Sequence, residues 1–157
     1  MDLLHFHLVL NHVPVIGMGI VLLLLVGALL RRSSELMRAA LVLIVVLGLA
    51  ALGAFFTGEP AEDGVEHLPG ISKATISAHE EAAEVALAAM ETLAVIALLG
   101  LLMWARKPAV PGWFVTVIVL GAIVTSGAMG YTANLGGKIR HTELGGANPA
   151  ATESERD

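Results

Sequence analysis

The sequence predicts an all-α protein, a polytopic membrane four-helix bundle with both termini outside. Of its 157 residues, 56% are hydrophobic and only 15% are charged, whereas charged residues make up about a quarter of a typical soluble domain. The apolar residues gather in four stretches, each close to the roughly 20 residues that a spanning helix needs. These stretches run from Leu3 to Leu30, Ala39 to Thr57, Ala83 to Ala105 and Gly112 to Ala133.

The first stretch is interpreted as a retained helix rather than a signal peptide. It follows Asp2 instead of basic residues, it is too long, and no Ala-x-Ala cleavage site precedes Arg31. We therefore expect one transmembrane domain over residues 1–144. A flexible tail, rich in Ala, Glu, Gly and Ser, is expected over residues 145–157.

Local signals predict where the later helices begin and end. Ser72 is a candidate N-cap for the third helix. Pro108 and Pro111 are expected to separate the third helix from the fourth. Gly136 and Gly137 are expected to end the fourth helix.

Polar residues are divided unequally between the two sides of the predicted spans. The turns within each helix pair are short and basic, and contain Arg31, Arg32, Arg38, Arg106 and Lys107. By the positive-inside rule these turns are cytoplasmic, so both termini face out. All six histidines and 13 of the 14 acidic residues then lie on the outer side, which makes that side the expected location of any chemistry.

Three histidines near the start of the first helix differ in the face that they occupy. His5 and His12 are spaced by seven and share one stripe, whereas His7 points elsewhere. At about 1.5 Å per residue, His12 lies roughly 28 Å above Arg31, near the outer edge of a hydrocarbon core about 30 Å thick. We therefore expect His5 and His12, rather than His7, to face a common site.

The third helix carries a line of carboxyl groups that enters the membrane. Glu80, Glu84 and Glu91 lie within about 40° of one another around the helix. Glu91 is roughly 22 Å above Arg106, a depth at which an ionisable side chain needs a partner or a proton. We expect a pocket that opens to the outside and ends near Glu91, with Ser126 of the fourth helix at nearly the same depth.

The two halves of the chain show a faint internal symmetry. Each half is a helix pair joined by a basic turn. The second helix of each pair ends in an aromatic residue followed by threonine, at Phe56-Thr57 and Tyr131-Thr132. Parallel repeats of this kind would be related by an axis along the membrane normal, and a site on that axis would draw one histidine from each half.

The outer side gathers imidazole and carboxylate groups from four separate segments: His12, Glu59, Glu62, His79, Glu80, Glu84, His141 and Glu143. Because the chain has no cysteine, a metal would be held by nitrogen and oxygen ligands, which suit iron, zinc, copper or manganese. A second interpretation is haem b, held by two axial histidines where helical glycines leave room for the ring. A third is a hydrogen-bonded network that seals the helix ends.

Other functional classes fit the composition less well or remain as alternatives. The net charge of -5 and the absence of a polybasic segment argue against a nucleic-acid partner. The sequence contains no phosphate-binding glycine loop and no Ser-His-Asp arrangement, which argues against an ordinary soluble-type enzyme. The remaining alternatives are a non-catalytic subunit of a larger membrane complex and a proton or quinone site around Glu91 and His12.

Four segments resemble a known family: LNHVPVIG at 10–17, TGEPAED at 57–63, AHEEAAE at 78–84 and LGGKIRHTE at 135–143. Together they resemble small four-helix proteins of the bacterial inner membrane that are catalogued as a domain of unknown function. The resemblance implies this fold, this location and a redox setting. The motif residues that it carries over are Asn11, His12, Pro14, Glu59, Glu62, His79, Glu80, Gly136, Gly137, Arg140 and His141.

The sequence thus predicts an outward-facing site that binds a transition metal ion (Fe, Zn or Cu) or haem b in a redox or respiratory setting. The expected cofactor ligands are His12, His79 and His141. For a metal ion, Glu59, Glu62 and Glu80 join them, either as ligands or as residues that orient the ligands. The expected partners are the lipid bilayer and other membrane subunits of a redox complex.

Overall fold

A computed structural model describes residues 3–58, 73–104, 106–107 and 109–140. These residues form five α-helices: α1 (Leu3–Leu10), α2 (His12–Arg31), α3 (Ser34–Phe56), α4 (Lys73–Trp104) and α5 (Gly112–Arg140). The predicted N-cap Ser72, the separating residue Pro108 and the predicted tail lie outside the described residues.

Four segments are long and apolar enough to cross a membrane: His5–Arg31, Ser34–Phe56, Lys73–Trp104 and Gly112–Ile139. The described part of the chain is therefore all-α with four segments that can serve as membrane spans, as predicted. The first of these segments comprises most of α1 together with α2.

The first span is interrupted close to its beginning. α1 ends at Leu10, Asn11 forms a turn, and α2 begins at His12. Pro14 explains the break, because its ring has no N–H for the carbonyl of Leu10 and would clash with that carbonyl in a regular helix. The N–H of Asn11 still donates to the carbonyl of His7 at 2.9 Å. The chain direction is therefore nearly preserved, and α1 extends the span.

The turn between α2 and α3 is only two residues long. Arg32 has left-handed backbone geometry, with φ 49°, and the N–H of Ser33 donates to the carbonyl of Ala28 at 3.0 Å. A left-handed residue of this kind satisfies carbonyls that a helix end leaves open. The hydroxyl of Ser33 then accepts from the N–H of Leu36 at 3.2 Å and caps α3. The two helices are thus joined as a tight antiparallel pair.

The two basic turns lie at the same end of the protein. The guanidinium of Arg38, near the start of α3, donates to the carbonyl oxygen of Lys107 in the turn before α5. The prediction that both turns share one side is therefore confirmed. We call this side the basic end. The opposite side, where α1 lies, α3 and α5 end and α4 begins, is the polar end.

Each of the four spanning segments packs against two of the other three. α2 packs against α3 and α5, α4 packs against α3 and α5, and α1 lies against α2 and α3. The side chains at the centre are fully buried and include Met18, Leu25, Leu41, Ile44, Met90 and Ile118. Large apolar side chains also cover the outer surface, among them Leu23, Leu30, Leu49 and Leu102. Helices that are apolar on both faces are suited to a lipid environment.

α5 is longer than the sequence predicts. The prediction that Gly136 and Gly137 end the fourth helix is wrong, because the helix continues through both residues to Arg140. A Cβ atom added at Gly136 would lie only 3.1 Å from Cε1 of His79. Here glycine allows a neighbouring helix to approach closely, which is a common use of small residues in membrane helices.

Candidate functional site

His7 is directed from α1 toward the end of α3. Its ring is half-buried, and its Nδ1 lies 3.0 Å from the carbonyl oxygen of Ala54 and 3.1 Å from Oγ1 of Thr57. Because a carbonyl oxygen can only accept a hydrogen bond, Nδ1 carries the proton and donates. This tautomer leaves the lone pair of Nε2 available to another partner.

His79 is held in the same manner between α4 and α5. Its half-buried ring donates from Nδ1 to the carbonyl oxygen of Thr132 at 3.1 Å. The ring lies beside Gly136, where a larger residue would meet it. The lone pair of Nε2 is again available, because the main-chain carbonyl fixes the proton on Nδ1.

The two imidazoles come from the two halves of the chain, and both are held at the polar end by main-chain carbonyls. The threonine beside each ring has an equivalent contact, since Thr57 and Thr132 each donate to the carbonyl four residues earlier at 3.0 Å. Thr116 makes the same contact with Gly112 at 3.1 Å, so this bond is general for helical threonine and the internal symmetry stays a prediction. The imidazole pair matches the expectation of one histidine from each half, while a ligand role for the pair stays a prediction.

His5 and His12 both lie on the exposed surface. The Nδ1 atom of His12 is 2.6 Å from the carbonyl oxygen of Leu8, one turn earlier in the chain. The sequence predicts that His5 and His12, rather than His7, face a common site, and the structure has the opposite arrangement. His7 is therefore the residue that the sequence reasoning missed.

A spacing signal for His7 is present in the sequence. Pro14, Val21 and Ala28 are buried, and they follow His7 at successive intervals of seven residues, which places all four on one stripe. Hydropathy alone does not distinguish this stripe from that of His12, because the lipid-facing side of a spanning helix is as apolar as its core. The buried stripe is marked instead by the kink-forming Pro14 and the small Ala28 of α2.

The remaining predicted ligands are distributed between the surface and the part outside the described residues. Glu80 and Glu84 are exposed on α4. Glu59, Glu62, His141 and Glu143 lie outside the described residues. Within the described ranges, no group of three or more His, Asp or Glu residues is close enough to hold a metal ion. The ligand set of His12, His79 and His141 therefore stays a prediction, and the described pair consists of His7 and His79.

Glu91 lies deeper in the membrane than the imidazole pair. Both of its carboxyl oxygens are 3.6 Å from the position that a Cβ atom would occupy at Gly48 of α3. Oε1 is buried and has no hydrogen-bond partner among the described residues. This oxygen is buried beside α3, while the outward-opening pocket expected from the sequence stays a prediction.

Together, the helices and the imidazole pair define a helical protein with four possible membrane spans and two oriented histidines at its polar end. No protein-family model, no curated protein and no solved structure matches the chain. The family resemblance of the four sequence segments stays a prediction. Functional interpretation therefore depends on the chemistry of the residues themselves.

Proposed function

We propose that the protein binds a transition metal, as a free ion or as the iron of haem b, through Nε2 of His7 and Nε2 of His79. The site belongs to a four-helix bundle of the bacterial inner membrane with both termini on the outer side. In this topology the basic end faces the cytoplasm, in agreement with the positive-inside rule, and the imidazole pair faces out.

The observation that supports a metal is the way in which both rings are held. Each donates Nδ1–H to a main-chain carbonyl, Ala54 for His7 and Thr132 for His79. Histidines that bind metals usually donate their other ring nitrogen to such an acceptor, which fixes the tautomer and increases the basicity of the ligating nitrogen. Two rings from separate helices at one end of the protein, each held through Nδ1 by a main-chain carbonyl, favour a shared ligand over two independent structural contacts.

The chemistry of the donor set fits the proposed group. Neutral imidazole nitrogen binds iron, copper and zinc, and two imidazoles can serve as the axial ligands of haem iron. The surroundings contain little side-chain bulk, since Gly136 lies beside His79, and a Cβ atom added at Gly58 would lie 3.7 Å from Cε1 of His7. Glu59, Glu62 and His141, all outside the described residues, are the candidates to complete the coordination of a free ion.

Bound iron or copper would supply one-electron redox chemistry at the outer surface of the membrane. The chain's own contribution is to hold both imidazoles in the neutral Nδ1–H tautomer, which leaves their Nε2 atoms available to bind. This function agrees with the redox setting that the family resemblance implies. A role beside other membrane subunits of a redox complex is part of the proposal.

The test is an absorption spectrum of the purified protein in detergent, oxidised and then reduced, together with elemental analysis of the same sample. A Soret band that shifts on reduction would identify haem, while a metal near one equivalent without that band would identify a free ion. Absence of both, in protein purified without chelator and after incubation with haem and with each metal, would overturn the proposal. A stably co-purifying subunit in that case would favour a non-catalytic structural role.

A further inference from the structure

The carboxyl group of Glu91 occupies a position where α3 and α4 are in close contact. At Gly48 of α3, an added Cβ atom would lie 2.8 Å from Cβ of Ala94 and 3.6 Å from each oxygen of Glu91. The close approach of Ala94 is what requires glycine at this point, and the carboxyl group of Glu91 lies at ordinary contact distance beside it. Oε1 is buried there without a hydrogen-bond partner among the described residues.

A second polar group lies at the same depth. Counted from the helix ends at the basic end, Gly48, Glu91 and Ser126 are each about 20 Å into their helices. The hydroxyl of Ser126 on α5 is also buried without a partner among the described residues. Buried polar atoms are normally hydrogen-bonded, so both groups are exceptions within this layer of the described helices.

No charged group is available to neutralise an ionised Glu91 within the described helices. The nearest carboxyl group on α4 is Glu84, about 10 Å toward the polar end. α3 contains no ionisable residue between Arg38 and Phe56, α2 contains none between His12 and Arg31, and α5 contains only Tyr131 between Gly112 and Lys138. An unpaired carboxylate inside the hydrocarbon region is costly, whereas a carboxylic acid is tolerated.

We propose that Glu91 is a proton-binding site in the membrane interior, a carboxylic acid held between α3 and α4 against Gly48. The proton is the species that fits, because no charged group of the described helices is available to neutralise a carboxylate at this depth. This site is separate from the imidazole pair at the polar end, and the proposal does not depend on a metal.

The test uses dicyclohexylcarbodiimide, an apolar reagent that reacts with protonated carboxyl groups. The acid proton moves to a nitrogen of the carbodiimide while the carboxyl oxygen bonds to its central carbon, so every atom is retained in the adduct. We expect peptide mapping of the protein in phosphatidylcholine vesicles to show Glu91 modified at least about tenfold faster than Glu84 at neutral pH. The rate at Glu91 should fall as the solution becomes alkaline.

Glu91→Gln should remove the adduct, and Glu84→Gln, a matched change on the same helix, should leave it unchanged. Equal labelling of Glu84 and Glu91, or no labelling of Glu91 in the unmodified protein, would overturn the proposal. Peptide mapping of the unmodified protein tests the proposal even when a variant fails to fold.

Discussion

The hydroxyl of Thr132 on α5 lies 3.0 Å from the carbonyl oxygen of Ala82 on α4 and 3.0 Å from that of Ala128 on its own helix, so its one proton is shared between the two acceptors. The carbonyl of Thr132 accepts from His79 of the same helix α4 at 3.1 Å. One residue therefore connects the two helices twice, once through its side chain and once through its main chain. The first bond stabilises the helix pair, and the second orients the imidazole.

Thr132→Val should remove the side-chain bond while keeping the shape of the residue. Hydrogen bonds between membrane helices contribute about 0.6 kcal/mol on average and at most about 1.7 kcal/mol, so we expect a loss of about 0.5 to 1.5 kcal/mol in the free energy of unfolding. Reversible unfolding in detergent measures this loss. Thr116→Val is the matched control, because the exposed hydroxyl of Thr116 bonds only to Gly112 of its own helix. Equal losses in the two variants would contradict the interhelical role.

Gly100→Ala should destabilise the basic end of the protein. A methyl group at Gly100 would overlap the ring of Phe114, which is buried and packed on Trp104 with 4.8 Å between ring centroids. Because the ring cannot move aside freely, we expect a cost of about 1 to 3 kcal/mol, as for other overpacked interiors. The midpoint of thermal unfolding in detergent should fall accordingly.

Gly127→Ala provides the control for Gly100→Ala. No atom lies within 4 Å of the position that its Cβ would occupy. Substitutions at such surface positions usually change stability by less than about 0.5 kcal/mol. A loss at Gly127 as large as that at Gly100 would show that glycine is required for helix geometry in general rather than for contact with Phe114.

The proposed topology can be tested with single thiols, because the chain has no cysteine. Ser77 at the polar end and Ala109 at the basic end are both exposed and uncharged, so replacing them leaves the topogenic charges intact. In intact spheroplasts, a membrane-impermeant maleimide should label Ser77→Cys and should label Ala109→Cys only after lysis. The inverse pattern would place the basic turns outside and would contradict the proposed orientation.

The sequence is most informative where a long apolar stretch can be counted. It predicts four apolar spans, and the described helices contain four segments long and apolar enough to cross a membrane. It is less informative about α5, since glycine pairs act both as helix ends and as sites of close packing. Gly136 has the second role because His79 needs access to the backbone of α5.

The candidate site is only partly predictable for a related reason. His79 and the contribution of one histidine from each half follow from spacing and symmetry. The sequence does not predict whether His7 or His12 faces inward. In a bilayer both faces of α2 are apolar, so the amphipathic pattern of a soluble helix is missing. The inward direction of His7 is set by its contacts with Ala54 and Thr57, and these contacts depend on how α1 packs against α3.

The most direct test of the proposed site is the cofactor content of three alanine variants purified under identical conditions. His7→Ala and His79→Ala should each lose most of the bound metal or haem, because each removes one of the two oriented Nε2 atoms. His12→Ala should retain it, since the ring of His12 is exposed and bonded to Leu8, one turn earlier in the chain. Retention in His7→Ala together with loss in His12→Ala would contradict the account.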